Sequence, residues 1–167
     1  EDLPVEKISW DDALNFINKV NGMKLELKLC LPSEMQWEYA CRAGSVTPFC
    51  WGEQVNSALA NFNGNYPYNN GHKSGYRKEI IEVKSLPCNE WGLYQTHGNV
   101  WEWCWDWYTN YPVKLVADSE DLEIGDKRVL RGGSWFRVGK YCRSAYRYQL
   151  DPSARGHSTG FRLSRSD

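Results

Sequence analysis

Three features of this sequence predict an α+β domain with two helices, a small antiparallel sheet and extensive coil. They are a pair of helix-capping signatures in the first quarter, a run of alternating aromatic residues near position 100, and a stretch rich in Gly, Asn and Pro between them. Ser9 with Asp12 three residues on marks a helix start, and Trp10, Ala13, Leu14 and Ile17 form its apolar stripe, which ends before Asn21 and Gly22. A second helix opens in "LPSEMQWEYACRAG", where Ser33 and Gln36 make a capping box and Gly44 is a natural stop. From Phe49 to Asn89 the chain turns irregular, and "NFNGNYPYNNG" reads as consecutive turns. So long a stretch inside a compact domain implies a functional loop region or a coil stabilised by an ion. "NVWEWCWDWY" then alternates with period two, which puts Trp101, Trp103, Trp105 and Trp107 on one face and Glu102, Cys104, Asp106 and Tyr108 on the other. Four indoles in a row can form a core or a carbohydrate platform, and their large apolar area favours a core. "KRVLRGGSW" and "GFRL" complete the set as short strands.

The 167 residues fit a single domain, 1–167, large enough to fold without a disulfide or metal. The formal charge of −1 argues against a nucleic-acid partner held by its phosphates. Ten of the twenty Lys and Arg nevertheless fall between Lys127 and Asp167, which is expected if those arginines bind carbonyls and acids inside the fold. No apolar run approaches the roughly 20 residues of a membrane span. The chain opens at Glu1 without a methionine, so a mature form and a fragment are both open. Cys30, Cys41, Cys50, Cys88, Cys104 and Cys142 are scattered without a CxxC spacing, and with only His72, His97 and His157 beside them they read as buried thiols and not as a zinc site.

"LPSEMQWEYACRAG", "WGLYQTHGNVWEWCWDWY", "RVLRGGSW" and "GFRL", in this order between Pro4 and Leu163, resemble the formylglycine-generating enzyme family, also called the sulfatase-modifying factors. The resemblance implies a C-type-lectin-like fold, although the strands that usually precede the first helix in this family are not in this sequence. Catalytic members use a pair of cysteines after "GGS" to bind copper and oxidise a substrate cysteine. Here only Cys142 lies between Ser134 and Arg147, with Arg137 where the first thiol is expected, so the resemblance implies a member that is not an enzyme. A lone Cys142 beside Arg143 lacks a histidine nearby in sequence to act as base. No cofactor is required. The family's calcium site would map to Gln95, Gly98, Val100 and Glu102 in "QTHGNVWEW", and the same residues read equally as a turn tied down by Glu102.

The carboxyl-terminal layout, "RVLRGGSW", a cluster, "CRSAYR", a cluster, a Pro-containing bridge, a cluster and "GFRL", is similar to the variable proteins of diversity-generating retroelements, which rewrite such clusters by mutating template adenines. The resemblance implies a ligand-binding segment at 128–163. Its clusters are Phe136, Arg137, Val138 and Tyr141; Tyr148, Gln149, Leu150 and Asp151; and Ser153, Gly156, His157, Ser158 and Thr159. Asn codons mutated at adenine cannot reach Lys, Gln, Glu, Trp or Met, and every cluster residue except Gln149 obeys that restriction. Exposed loop positions tolerate exchange, and Tyr, Phe and Arg supply most interface energy. The implied partner is a protein or cell-surface ligand, met at the cell surface or outside the cell. An accessory member of the family that binds peptide or metal, and a sugar-binding lectin, are the alternatives.

Overall fold

The computed structural model describes residues 2–23, 27–110 and 125–165. Helix α1 (Trp10–Asn21) begins as expected, with Ser9 Oγ accepting from the Asp12 N–H at 3.0 Å and the Asp12 carboxylate accepting from the Ser9 N–H at 3.1 Å. The Arg155 guanidinium grips the same carboxylate at 2.7 and 2.9 Å, and these bonds, with those from Ser9, hold the Asp12 carboxyl well below the usual range. A short strand, β1 (Leu29–Cys30), leads to α2 (Glu34–Arg42), which carries the reciprocal Ser33 and Gln36 cap. Ala43, at φ 46°, turns the chain left-handed one residue before the expected stop at Gly44.

Four strands form the main sheet: β2 (Trp101–Trp107), β3 (Arg128–Arg131), β4 (Tyr148–Leu150) and β5 (Thr159–Phe161), in the order β4-β3-β2-β5. The first three pair antiparallel, but β5 runs parallel to β2, so the sheet is mixed. A hairpin cannot join parallel strands, and β5 reaches the outer edge of β2 only after the chain has crossed from β4. A final strand, β6 (Ser164–Arg165), pairs with β1.

The alternation of β2 separates two buried faces. On one side Trp101 and Trp103 pack with Trp10, Ala13 and Ile17 of α1 and with Leu130. On the other, Cys104 packs with Trp37 and Cys41 of α2 and with Val129. The core reading therefore holds for Trp101 and Trp103, whereas Trp105, which meets α1 at the Trp10 ring, 5.6 Å away, is 52% exposed. The Arg128 guanidinium lies 3.7 Å from the Trp10 ring and 3.4 Å from the Trp107 ring and donates to the Trp105 carbonyl at 2.6 Å. The indole row thus does not make one sugar platform.

The long coil is organised by buried amides. Asn61 Nδ2 donates to Asn99 Oδ1 at 3.0 Å and to the Glu79 carbonyl at 2.9 Å, while Asn99 Nδ2 donates to the Ile81 carbonyl at 3.0 Å. Asn89 reaches the Ala40 and Cys41 carbonyls at the end of α2. These side chains satisfy backbone groups that no helix or ladder pairs. A Cβ on Gly98, at φ 85°, would collide with the Asn61 carbonyl, so this approach of coil to sheet requires glycine.

Candidate ligand-binding site

The "RGGSW" turn sets the site. Gly132 and Gly133 have φ of 93° and 81°, and a Cβ on Gly133 would lie 2.6 Å from Cys142 Sγ, so β3 can turn back over Cys142 only through glycine. The following loop is fastened to the coil, with the Asn63 N–H donating to the Arg137 carbonyl at 2.9 Å and the Gly139 N–H donating to the Tyr66 carbonyl at 3.0 Å. A 3₁₀ turn, Gly139–Cys142, then presents Tyr141, and its start accepts the Tyr141 N–H at the Val138 carbonyl. Strand β4 presents Tyr148, and the turn before β5 presents His157.

These segments meet. The Arg137 guanidinium lies 4.8 Å from the Phe136 ring, 5.4 Å from Tyr148 and 5.7 Å from Tyr141. The rings of Phe136 and His157 are 5.4 Å apart, Trp135 adjoins Phe136 at 5.2 Å, and Tyr148 stacks on buried Trp101 at 4.9 Å. Tyr146 touches both Tyr141 and Trp101, and burial raises its hydroxyl pKa above the usual value, with Tyr141 adding to it. Members of all three expected clusters, Phe136, Arg137, Tyr141, Tyr148 and His157, therefore form one aromatic and cationic patch.

Other expected site residues lie elsewhere. Ser158 and Thr159, at 4% and 1% exposure, are scaffold, because the Ser158 carbonyl accepts the Trp101 N–H and Thr159 is locked into β5. Leu150 packs against the α1 core, and Gln149, on the opposite face of β4, lines a cavity of about 630 Å³ with Tyr108, Thr109 and Lys127. Asp151 closes a turn on Ser153, and the Pro152 carbonyl between them accepts the Trp10 and Asp11 N–H groups, which ties that turn to α1. Gly156 accepts the Thr159 N–H and is half-buried. Tyr141 and Tyr148 are themselves half-buried, with one side on the core and one on the patch. Trp135 and Tyr146 lie in the blocks between the clusters and Trp101 in the indole row of β2, so sequence order alone does not assign them to the patch; for Trp135 and Tyr146 the available signal is an aromatic residue beside a cluster.

The set expected to hold calcium does not fit that ion. Both Glu102 oxygens accept from Arg162 at 2.8 Å, and Oε2 also accepts from the Trp37 indole at 2.6 Å. The Glu102 carboxylate is the main reason the Arg162 pKa rises. Gln95 donates to the Glu82 carbonyl and accepts from Asn99. Calcium needs several available hard oxygens, and here the single carboxylate of the set already faces a guanidinium ion. Glu102 is the tie that binds β2 to α2 and to the segment after β5.

All six cysteines are free thiols, and burial pushes Cys41 up to about 11 and Cys142 up to about 12, with Cys104 also well above its usual value. The structure does bring a histidine to Cys142, but His97 Nδ1 meets the Cys142 carbonyl at 2.7 Å while Nε2 faces the Cys50 N–H at 3.1 Å. With Nδ1 donating and the Nε2 lone pair accepting, His97 has no free lone pair to act as a base. Iodoacetamide at about pH 8 is expected to label Cys30, Cys50 and Cys88 and to spare Cys41, Cys104 and Cys142 until denaturant is added. Native labelling of Cys142, seen by peptide mass spectrometry, would instead reveal an accessible thiol.

Comparison with known proteins gives consistent matches. The family described as "Sulfatase-modifying factor enzyme 1-like domain" matches residues 1–167. The formylglycine-generating enzyme of Streptomyces coelicolor is 34% identical over 169 residues, covering 95% of this chain and 51% of the relative. The chain spans about half the length of the formylglycine-generating enzymes it matches. Among solved structures, Treponema denticola variable protein 1 aligns with a TM-score of 0.76 and 25% identity, covering 97% of this chain and 70% of that one. PvdO from Pseudomonas aeruginosa aligns with a TM-score of 0.78 and 28% identity, over 97% and 61% respectively.

Proposed function

We propose that this chain, which belongs to the sulfatase-modifying factor enzyme 1-like family of the formylglycine-generating enzymes, is a non-catalytic ligand-binding protein of the variable type. The observation that carries this reading is the convergence of Phe136, Arg137, Tyr141, Tyr148 and His157 from separate segments onto one patch. Around that patch the backbone is held by one buried and two partly buried arginines. Arg131 pairs with Glu34 and Glu38, Arg147 with Glu34, and Arg162 with Glu102, so the basic carboxyl-terminal quarter is largely spent on scaffold and not offered to nucleic acid. Side chains at the patch can then change without loss of the frame. Similarity to Treponema denticola variable protein 1 over nearly the whole chain supports the same role.

Formylglycine formation is disfavoured by two features. Arg137 stands where the first thiol is expected, and the Cys142 thiol is fully enclosed by Phe49, Val55, Ala60 and Phe62 and held protonated by burial. The partner in this reading is a protein or cell-surface ligand, met at the cell surface or after export. Among the described residues, no helix is long and apolar enough to cross a membrane.

The DNA flanking the gene provides the test. A near-copy of the codons from Arg128 to Leu163, differing only at adenines, is expected beside a reverse transcriptase gene. The mismatches should include the codons of Phe136, Arg137, Tyr141, Tyr148 and His157 and spare those of Ser158 and Thr159, where burial forbids free exchange. Absence of any such copy would sink the variable-protein reading and leave the accessory member in its place.

A further inference from the structure

We propose that the patch seats a carboxylate of an acidic protein ligand on Arg137, an inference that rests on the patch being a binding surface. The six other arginines between Arg128 and Arg162 have side-chain acceptors: Arg131, Arg147, Arg155 and Arg162 bind carboxylates, and Arg128 and Arg143 bind carbonyls. Arg137 is different. Its guanidinium has no acid and no carbonyl partner among the described residues; its Nε is buried without a hydrogen bond, as are those of Arg128 and Arg131, but those two have other N–H groups bonded to acceptors. The rings of Phe136, Tyr141 and Tyr148 surround it, and aromatic faces attract a cation without accepting all of its in-plane N–H groups.

A second observation points the same way. The indole Nε1 of Trp101, a residue 2% exposed, is buried without a partner, and so is the Nε1 of Trp135. Trp101 stacks on Tyr148 and Trp135 packs on Phe136, so these two indoles lie behind two of the three rings that surround Arg137. An indole nitrogen can only donate, as can a guanidinium. Buried donors left unpaired are costly, and a guanidinium set among the patch rings with no acceptor calls for one from outside. Lys140 and Arg143 add positive charge over Tyr141, Tyr68 and Tyr146, and neither has an ion pair among the described residues. The one acid of the expected clusters, Asp151, is bonded to Ser153.

A planar carboxylate matches the guanidinium fork with two parallel hydrogen bonds. The aromatic walls would exclude water from that pair, as in the buried anchors of protein interfaces. Such a seat, one guanidinium walled by three aromatic rings, fits an Asp or Glu side chain set among apolar neighbours.

The test is a phage-displayed random dodecapeptide library panned against the whole chain. Recovered peptides are expected to share an Asp or Glu whose replacement by Asn or Gln lowers affinity by about tenfold or more. Arg137→Gln should lose the same affinity while its melting temperature stays level or rises, since an uncompensated cation has been removed. Arg137→Lys, which keeps the charge but not the fork, should retain part of the binding. If peptides lose binding on Phe136→Ala yet carry no acid, or bind Arg137→Gln equally well, the carboxylate assignment is overturned and the binding surface stands. If Phe136→Ala and His157→Ala leave the recovered peptides bound as before, the surface reading itself fails, and the assignment with it.

Discussion

Glu102→Gln is expected to lower folding stability by about 3–5 kcal/mol, the range for breaking a buried, hydrogen-bonded ion pair from one side. The carboxylate is 6% exposed and accepts three hydrogen bonds, two from Arg162 and one from the Trp37 indole. An amide brings one acceptor oxygen and two donors into that space, so an N–H would face an N–H, and the Arg162 cation would lose its counter-ion. The loss should appear as a lower urea midpoint with little change in slope. Removing the cation as well, in Glu102→Gln with Arg162→Met, should cost less than the sum of the two single changes, because no unpaired charge remains. The same denaturation tests the metal question. Calcium at about millimolar concentration should leave the wild-type midpoint where EDTA leaves it, whereas a rise with calcium would return Gln95, Gly98, Val100 and Glu102 to the role of ligands.

Trp103→Ala is expected to cost a similar amount, about 3–5 kcal/mol, as a large aromatic deleted from a close-packed core. Trp103 is fully buried between α1 and the sheet, and its indole donates to the Ile8 carbonyl at 2.9 Å, so the change removes packing and orphans an acceptor. Trp105→Ala, two residues along the same face, should cost roughly 1 kcal/mol or less, because that ring is half in water. Thermal melts of the two variants decide between core and platform. Equal and small losses would mean that the four indoles act together as a surface, and the sugar-binding alternative would regain its ground.

Local structure was legible wherever the signal was local. Both helices begin at the capping boxes visible in the sequence, since Ser9 with Asp12 and Ser33 with Gln36 are bonds between residues three apart. The stop of α2 was displaced by one residue because Ala43 itself takes the left-handed turn. The character of the coil was also legible, but not what holds it. Nothing in the spacing of Asn61, Asn89 and Asn99 says that their amides reach carbonyls as far away in the chain as Glu79 and Ala40. For β2, period two correctly predicted two faces, and the helix-covered second face had no local signature.

The candidate site divides in the same way. Composition and layout singled out the segment 128–163 and its arginine-bearing blocks, because residue type and order are properties of the chain itself. Which cluster members share a surface was decided by tertiary structure alone. Phe136 and His157 are adjacent because β5 docks parallel on β2, Ser158 and Thr159 are lost to the interior by that same docking, and Gln149 and Tyr148 part because neighbours in a strand face opposite ways. Arg137 and Arg131 are alike in the sequence, both basic and both near "GGSW". Only the fold gives Arg131 its two glutamates and leaves Arg137 among aromatic rings without one, since a charge acquires its partner through contacts that close long loops.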